Sequence, residues 1–508
     1  MTSIPTNSNS NSNSNSNPEP ITKSYAKSLV WFRRDLRDYD HAALYHALKS
    51  SAQVYCTFVF DTDILDQLKD KADRRIEFIW ESIKELKAAL QLKGGDLIVL
   101  HGSAQTQIPA LALELQVESV FVNHDYEPSA IKRDETVARA LQQDNIDFHH
   151  YKDQVIFEKN EILNMSGKPY GVFTPYKTMW LKTVDDFYVK PYPVDHYAKN
   201  LAKSDKTPLL SLESMGFKRT NLSYMRLPTG MQGGLALFDD FKERMNHYKD
   251  ARNFPAIKGV SYLSVHLRFG TVSIRHLARE AMQAANTGSQ TWLSELIWRD
   301  FYFQILHHHP YVAAGKTFKA EFDKLPFPND KVLFQAWCDG QTGYPLVDAA
   351  MRQLNTTGFM HNRLRMVAAS FLVKDLLVDW RWGERYFAEK LIDFDLSANN
   401  GGWQWAASTG CDSQPWFRIF NPITQSEKFD SSGKFIRKYV TELSQYDDKE
   451  LHAPWLISPL RQKSMDVIIG KNYPLPVVNH PAQRVLALSL YKSCSQNKNK
   501  DDDANSEA

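Results

Sequence analysis

Short apolar runs alternate with helical patterns through the first 150 residues, and this alternation constrains the fold more than any other feature of the chain. Four runs are of strand type: 28–32, 54–60, 97–100 and 120–122. Helical patterns follow them at 41–49, 76–90, 108–115 and 129–142. Such alternation predicts an open, doubly wound parallel α/β sheet domain over residues 27–152. No Gly-x-Gly-x-x-Gly turn follows the first strand, so no dinucleotide site is predicted there.

The pattern changes after residue 152, and the change marks domain boundaries. Residues 153–234 are rich in Pro, Lys, Ser and Tyr without a sustained period, which predicts a long connecting segment. From 235 to 491 the apolar spacing is helical and strand signals nearly vanish, so the second domain is predicted to be all-α. A chain of 508 residues also exceeds what one hydrophobic core usually supports.

Composition narrows the classes of protein to consider. The net charge is only +2, so a nucleic acid would have to bind at a local basic patch. The four cysteines are far apart and lack zinc spacing, which suits a reducing compartment, and no apolar run approaches membrane-spanning length. An Asn/Ser repeat within residues 1–26 and an Asp-rich end at 492–508 predict disordered tails, and we expect a cytoplasmic protein.

The densest chemistry lies between residues 393 and 422. Paired carboxylates, amides, glycines and tryptophans fall within a short stretch: Asp393, Asp395, Asn399, Asn400, Gly401, Gly402, Trp403 and Trp405. Glycines let a flat ligand approach the backbone, amides and carboxylates supply hydrogen-bonding groups, and indole rings can stack or pass an electron. A helix-to-helix turn with ordinary buried aromatics would explain the tryptophans alone. The whole cluster favours a site for a flat, polar-edged cofactor.

Residues 399–410, Asn-Asn-Gly-Gly-Trp-Gln-Trp-Ala-Ala-Ser-Thr-Gly, resemble the flavin-binding core of the photolyase/cryptochrome family. The chain is most similar to class I cyclobutane pyrimidine dimer photolyases, and the likeness spans residues 27–490 in the family's order of motifs. It implies a Rossmann-like first domain and a helical FAD-binding second domain. It also implies a monomer, without an obligate protein partner, that repairs UV-damaged DNA. Reduced, light-excited FAD would split the dimer by electron transfer.

The resemblance assigns flavin contacts to two groups of residues. The diphosphate would lie against Tyr248, Val260, Ser261, Tyr262, Leu263 and Ser264, with Val260 where the family often has a threonine. The ring and ribose edges would contact Arg299, Arg365, Asp393 and Asp395, and the Asn399 amide would face flavin N5. Taken by themselves, residues 260–264 also fit ordinary helix capping.

Four residues, Glu295, Trp298, Met366 and Trp405, resemble the family's dimer pocket. Glu295 would hydrogen-bond the dimer, Trp298 and Trp405 would sandwich it, and Met366 would line the pocket. Desolvation beside a tryptophan favours a protonated carboxyl, which can donate a hydrogen bond. The i, i+4 spacing of Glu295 and Arg299 equally fits a helix-surface ion pair.

Three arginines are predicted phosphate contacts: Arg252, Arg363 and Arg418. Arg363 and Arg365 lie about 200° apart around a helix, so they cannot serve the same surface. One can reach DNA phosphate, whereas a buried one requires a carboxylate, for which Asp393 is the candidate partner. So few contacts predict DNA binding that is salt-sensitive but not steeply so.

Trp403 and Trp380 resemble the first two members of the family's tryptophan chain, which relays electrons to photo-excited flavin. The third position holds Phe327, and no tryptophan occurs between Trp298 and Trp337. Phenylalanine is too hard to oxidise, so either Trp382 or Tyr386 substitutes or photoreduction is inefficient. The histidine run 307–309 before a proline is predicted to be a helix end rather than a metal site.

Two rival functions share the fold. A cryptochrome-type blue-light receptor is disfavoured by the paired pocket tryptophans and by the short C-terminal tail. A (6-4) photolyase is disfavoured because His361-Asn362-Arg363 stands where those enzymes have a histidine pair.

The sequence also leaves the identity of the antenna chromophore open. Ser129, Ala130 and Ala314 align with the ligands of folate-type relatives, and none of them can substitute. A 5,10-methenyltetrahydrofolate held by other contacts, a deazaflavin and an empty site stay open.

Overall fold

A five-stranded parallel sheet forms the centre of the first domain. In the computed structural model, residues 24–204, 208–225 and 227–506 are described, the side chains of 495–506 excepted. The strands are β1 Tyr25–Phe32, β2 Ser51–Asp61, β3 Leu97–Gly102, β4 Ser119–Asn123 and β5 Asp147–Tyr151. They lie in the order β3-β2-β1-β4-β5 and all neighbouring pairs are parallel. The strand order reverses at β1, which lies between β2 and β4.

Helices cover both faces of this sheet, as the alternating pattern predicted. They are α1 Ala42–Ser50, α2 Thr62–Leu65, α3 Arg74–Leu92, α4 Ala104–Leu115 and α5 Pro128–Gln143. Alternate residues of β1 enter different apolar clusters, Leu29 and Trp31 on one side and Val30 and Phe32 on the other. Because both faces are buried, the inner strands are continuous apolar runs.

The fifth strand was not predicted. Its sequence, Asp-Phe-His-His-Tyr, has no apolar run, and the strand pairs only with β4 at the edge of the sheet. An edge strand buries less of its surface than an inner strand, so its sequence carries a weaker apolar signal.

The connecting segment is more ordered than its composition indicated. It contains α6 Phe173–Thr183 and α7 Asp186–Val189. The buried Asp300 carboxylate accepts hydrogen bonds from the Ile156 and Phe157 amides, at 3.1 and 3.3 Å, and from Trp180 Nε1 at 3.0 Å. Burial raises the pKa of Asp300 to about 6. One carboxylate of the second domain therefore anchors two parts of the connecting segment.

The second domain is helical, as predicted. Its helices are α8 Gly230–Lys242, α9 Tyr248–Ala251, α10 Ser264–Phe269, α11 Ile274–Ala284, α12 Thr287–His308, α13 Lys331–Asp339, α14 Pro345–Thr357, α15 Asn362–Ser370, α16 Trp380–Lys390, α17 Leu396–Ala406, α18 Pro422–Phe429, α19 Lys434–Tyr439, α20 Pro459–Ser464 and α21 His480–Ser506. A π-helical turn, Phe371–Asp375, follows α15. Helix α12 ends at His308, within the histidine run.

The two ends of the chain were both predicted to be disordered tails, and the structure describes only part of them. Helix α21 continues through 492–506, which we expected to be a disordered tail. Strand β1 begins at Tyr25, and the preceding part of the predicted N-terminal tail, residues 1–23, lies outside the described residues. No helix in the described ranges is both apolar and long enough to cross a bilayer.

Gly270, between α10 and α11, lets the two domains approach closely. Its φ of +65° is one that L side chains rarely adopt, and a Cβ there would overlap the carbonyl oxygen of Arg34. The Gly270 carbonyl accepts a hydrogen bond from Arg37 Nη1 at 3.1 Å. Arg37 also binds Asp153 at 2.6 Å, so this contact belongs to a buried ion-pair network at the domain interface.

We expect Gly270→Ala to lower the free energy of unfolding by about 2–5 kcal/mol, because backbone strain and overpacking add. Gly94→Ala is the matched control: its φ is +89° but nothing lies within 4 Å of an added Cβ. That control should cost only about 1 kcal/mol. The midpoints of urea unfolding, followed by circular dichroism, measure both variants, and equal midpoints would contradict the predicted close approach.

Candidate functional site

One cavity of about 470 Å³ brings together most of the predicted site residues. Its volume is typical of small-molecule sites. The predicted residues in its wall are Arg252, Ser264, Glu295, Trp298, Arg299, Arg365, Met366, Asp393, Asp395, Asn399, Trp403 and Trp405. They come from helices α10, α12, α15 and α17, from the residue that follows α9 and from the loop before α17.

Helix α17 supplies one wall of the cavity. Asp395 starts the helix as its N-cap, accepting hydrogen bonds from the amides of Ser397 and Ala398 at 3.1 and 3.4 Å. The residues of α17 that face the cavity recur at helical spacing: Ala398, Asn399, Gly402, Trp403 and Trp405. The N-cap and the cavity-facing residues are therefore parts of one helix.

The two glycines of α17 serve different purposes. A Cβ on Gly401 would overlap the ring of Tyr302 on α12, so this glycine permits close helix packing. A Cβ on Gly402 would meet nothing within 4 Å. Gly402 therefore leaves room in the cavity wall, which is the space a flat ligand needs.

Arg365 and Asp393 form the ion pair that the sequence predicted. Arg365 Nη2 lies 3.0 and 2.8 Å from the two carboxylate oxygens of Asp393. Arg365 Nε also donates to the Met360 carbonyl at 2.8 Å, which fixes the guanidinium beside the cavity. The buried Asp393 carboxylate is thus paired, as a buried charge requires.

Asp395 is also paired, but with partners that the sequence did not indicate. Arg34, which follows β1, binds its carboxylate, and Arg268 of α10 lies 3.6 Å away. Together with Arg299 these guanidiniums hold the pKa of Asp395 far below its usual value, against the effect of burial. Arg268 was missed although it lies four residues after Ser264 on the same helix.

Arg299 differs from the other arginines of the wall. Its Nη1 donates to the Gln154 carbonyl, and its guanidinium lies 4.6 Å over the Phe303 ring. Within the described ranges it has no carboxylate partner at ion-pair distance, and burial lowers its pKa. A largely buried cation of this kind suits an anionic group on a ligand.

The helix-surface pair of Glu295 and Arg299, the alternative that the spacing left open, does not form. Glu295 Oε1 instead lies 2.5 Å from Nη1 of Arg252, the residue that follows α9. Burial raises the pKa of Glu295, and the Arg252 charge opposes this shift. Nearby, the Trp298 ring stacks on Phe173 at a centroid distance of 3.7 Å, so one face of the indole is held by the protein.

Arg363 and Arg418 lie outside the cavity wall but close to Arg252. Arg252 and Arg418 both lower the pKa of Arg363, after the larger effect of burial. Arg363 Nη2 donates to Asn253 Oδ1 at 2.7 Å. Arg363 therefore lies near Arg252, and both Arg252 and Arg418 are within electrostatic reach of it.

Asn399 lines the cavity as predicted, but most of the predicted diphosphate segment does not. The Asn399 amide donates to Glu384 Oε1 at 2.8 Å, which orients it in the wall. Of the diphosphate group only Ser264 lines the cavity, whereas Tyr248, Val260, Ser261, Tyr262 and Leu263 do not. Tyr248 is buried beneath Arg252, 5.6 Å from its guanidinium. Other lining residues that we did not predict include Leu267, Tyr302, Asn362 and Phe387.

Aromatic rings lead away from Trp403 toward the surface. The Trp403 ring lies 6.0 Å from Trp337, which lies 5.6 Å from Tyr386. Tyr386 Oη donates to Asn355 Oδ1 at 2.7 Å. Trp382 reaches the same group of rings through Phe334, at 5.2 Å.

The two other positions of the expected electron relay, Trp380 and Phe327, belong to the same apolar core cluster as Trp403 and Trp337. Trp380 is buried, with the Arg381 guanidinium 5.1 Å over its ring. Phe327 packs toward Tyr491 at 6.5 Å.

Two family profiles and a curated relative all match this chain to the same family. Residues 28–196 match the profile described as DNA photolyase, and residues 292–493 match that of the FAD binding domain of DNA photolyase. The deoxyribodipyrimidine photo-lyase of Vibrio cholerae is 39% identical over 92% of this chain and 99% of its own length.

Two solved structures share the fold. The class III photolyase of Agrobacterium tumefaciens superposes with a TM-score of 0.85 at 32% identity, over 95% of this chain and all of that one. The cryptochrome of Synechocystis superposes with a TM-score of 0.83 at 29% identity, over 92% of this chain and all of that one.

We expect Gly402→Leu to reduce flavin binding at least about tenfold, because the side chain would fill the space that the glycine leaves open. Leucine is also a better helix former than glycine, so the fold should persist. Flavin absorbance per protein after purification, and titration of flavin-free protein with FAD, measure the effect. Gly402→Ala is the control and should retain most binding, whereas full occupancy in the leucine variant would place the ring elsewhere.

Proposed function

The chain belongs to the DNA photolyase family, and from that premise we propose which of its residues perform the reaction. Its activity is that of a deoxyribodipyrimidine photo-lyase, which splits the cyclobutane dimers of pyrimidines in DNA with light, and its cofactor is FAD. When bound and reduced, FAD supplies an electron to the dimer under light and takes it back after the bonds break. The protein's own contribution is binding, orientation and electrostatics.

One observation carries the assignment of residues. The paired charges of Arg365 and Asp393 and the dimer-pocket residues Glu295, Trp298 and Trp405 line the same cavity. A cofactor held by the first group would therefore lie next to a base held by the second. Such proximity is the condition for transferring an electron directly to the lesion.

We infer that the cofactor is held by α17 and by the arginines of the wall. Gly402 provides space for a flat ring, and the oriented Asn399 amide offers a polar group at its edge. Arg299 and Ser264 are the candidates for anionic or hydroxyl groups of the ligand. The residues present thus fit FAD, and the Arg365 charge would favour an anionic reduced ring.

The substrate side of the cavity would accept a nucleotide turned out of the duplex. A dimer is poorly stacked, so extruding it costs less than extruding normal bases. Trp298, with one face already stacked on Phe173, needs little ordering to bind a base on its other side. Trp405 and Met366 complete this part of the wall, and Arg252, Arg363 and Arg418 would bind phosphates of UV-damaged DNA.

The rival functions are less well supported by the site. The similarity to a cryptochrome means that the fold does not decide between the two. The pocket residues Glu295, Trp298 and Met366 favour a lyase. A cyclobutane dimer enzyme is favoured over a (6-4) enzyme because Asn362 and Arg363 follow His361 where the (6-4) enzymes have a histidine pair. His361 itself serves as the N-cap of α15 and accepts a hydrogen bond from the Arg363 amide at 3.1 Å.

We further infer a cytoplasmic monomer. All four cysteines are unpaired, which agrees with a reducing compartment. Sedimentation of the FAD-loaded protein at micromolar concentration tests the monomer, and a concentration-independent dimer would contradict it.

The function is tested by repair of an oligonucleotide that carries one cyclobutane thymine dimer. Reduced protein should restore the thymines under blue light and leave them unchanged in the dark. Trp298→Ala should weaken binding of the dimer about 5- to 150-fold, since stacking contributes about 1–3 kcal/mol per base. Binding of undamaged duplex should not change. If fully reduced protein left the dimer intact in light, that result would contradict the enzyme assignment and favour a light receptor.

We propose that Tyr386 replaces the missing third tryptophan, because Trp403, Trp337 and Tyr386 form a continuous chain of ring contacts. Light-driven reduction of oxidised flavin, with a thiol in solution as the electron donor, should then slow about tenfold or more in Tyr386→Phe. Trp382→Phe tests the other candidate residue. Repair by chemically reduced protein should be unaffected in both variants, and an unchanged photoreduction rate in Tyr386→Phe would exclude this path.

A further inference from the structure

In the free protein, an ion pair joins two residues that DNA would need separately. Arg252 Nη1 and Glu295 Oε1 lie 2.5 Å apart, and both side chains line the cavity. The side chains are 26% and 29% exposed, so solvent and DNA can reach them. Arg252 is suited to a phosphate and Glu295 to the edge of a base. One short contact cannot persist if each residue binds its own part of the DNA.

We infer that binding of dimer-containing DNA transfers Arg252 from the Glu295 carboxylate to a DNA phosphate, and that Glu295 takes up one proton from the solvent in the same event. The guanidinium and the phosphate both keep their charge. The proton comes from the buffer and ends on a carboxylate oxygen of Glu295, which can then donate a hydrogen bond to a dimer carbonyl. This inference rests on the proposed function.

The positive charges around Arg252 favour the transfer. Arg252 and Arg418 lie close enough to Arg363 to lower its pKa, after the larger effect of burial. Among these three arginines, only Arg252 has a carboxylate partner at ion-pair distance in the described chain. A phosphate placed among three guanidiniums gains more Coulomb energy than the single carboxylate provides. Arg365, two residues after Arg363, stays paired with Asp393 and does not take part.

The surroundings of Glu295 favour protonation once Arg252 has left. Burial raises the pKa of Glu295, whereas Arg252 and, more weakly, Lys177 of α6 lower it. Tyr248 and Tyr302 also face the carboxyl, and burial raises the pKa of both phenols, so they remain neutral. Losing Arg252 and being covered by DNA both raise the pKa of Glu295 further. Lys177 would be the remaining cation facing it.

His361 is a second group that could take up a proton. It is buried, and its pKa is lowered to about 4 by burial and by Arg363, Arg365 and Arg252. A phosphate that offsets these charges would raise the pKa of His361 as well. An experiment must therefore separate Glu295 from His361.

Isothermal titration calorimetry of the FAD-loaded protein in the dark makes this separation. A duplex with one cyclobutane thymine dimer is titrated in buffers of different ionisation enthalpy, and the buffer dependence of the heat gives the number of protons taken up. We expect uptake approaching one proton near neutral pH, and affinity that falls by up to about tenfold for each pH unit of increase. Undamaged duplex should show no such uptake.

Glu295→Gln is the decisive variant, because its amide can donate the same hydrogen bond without a proton from solvent. Uptake should vanish, and the affinity should no longer depend on pH in that range. Arg252→Gln should weaken binding and reduce uptake, since Glu295 would already be more protonated in the free protein.

If Glu295→Gln took up as many protons on binding as the unsubstituted protein, the proton would belong to His361 or another group, and the inference would be overturned. Binding of the dimer without uptake by the natural chain would also overturn it, as would unchanged uptake in Arg252→Gln. Failure to prefer the dimer duplex over undamaged duplex is a different result, because it overturns the proposed function itself and this inference with it.

Discussion

The carboxylate of Asp395 is the point on which the two domains and the cavity depend. It caps α17, which forms one wall of the cavity, and it binds Arg34, which leaves the sheet at the end of β1. Strand β1 lies at the reversal of strand order, where parallel α/β sheets commonly meet a ligand or a partner. Because the guanidiniums keep Asp395 ionised, the pairing holds throughout neutral pH. A buried charge left without any partner costs about 3–5 kcal/mol. If Arg34 were removed, Arg268 and Arg299 would still offset part of the Asp395 charge, so the cost would be smaller.

The arginines around the cavity differ in the groups that pair with them, and the roles that we propose follow from this difference. Arg365 is paired with the buried Asp393 carboxylate, so in the proposed arrangement this pair is a fixed neighbour of the cofactor. Arg299 has a carbonyl partner, and we propose that it binds an anionic group of the ligand. Arg252 is paired with the partly exposed Glu295 carboxylate, which a DNA phosphate would replace in the exchange that we infer.

Much of the fold could be predicted because strands and helices leave periodic patterns over several residues. The inner strands and the long helices were found in this way, whereas β5 at the sheet edge and α6 in the connecting segment were not. Strand β5 has no apolar run, and the segment around α6 is stabilised by tertiary contacts such as those to Asp300. Weak local signals of this kind cannot be separated from loop composition before the packing partner is known.

The sequence by itself determined the string 399–410, because that string depends on residue type at short spacing, and the resemblance that it carries indicated Asp393 as the partner of a buried arginine and named the pocket residues. Only the tertiary structure decided that Glu295 pairs with Arg252 instead of Arg299, and that Gly401 packs against a helix while Gly402 opens the cavity. It also decided that Arg34 binds Asp395, 361 positions away. These contacts join residues that are distant in the chain, and no local pattern carries information about which distant surfaces folding will bring together.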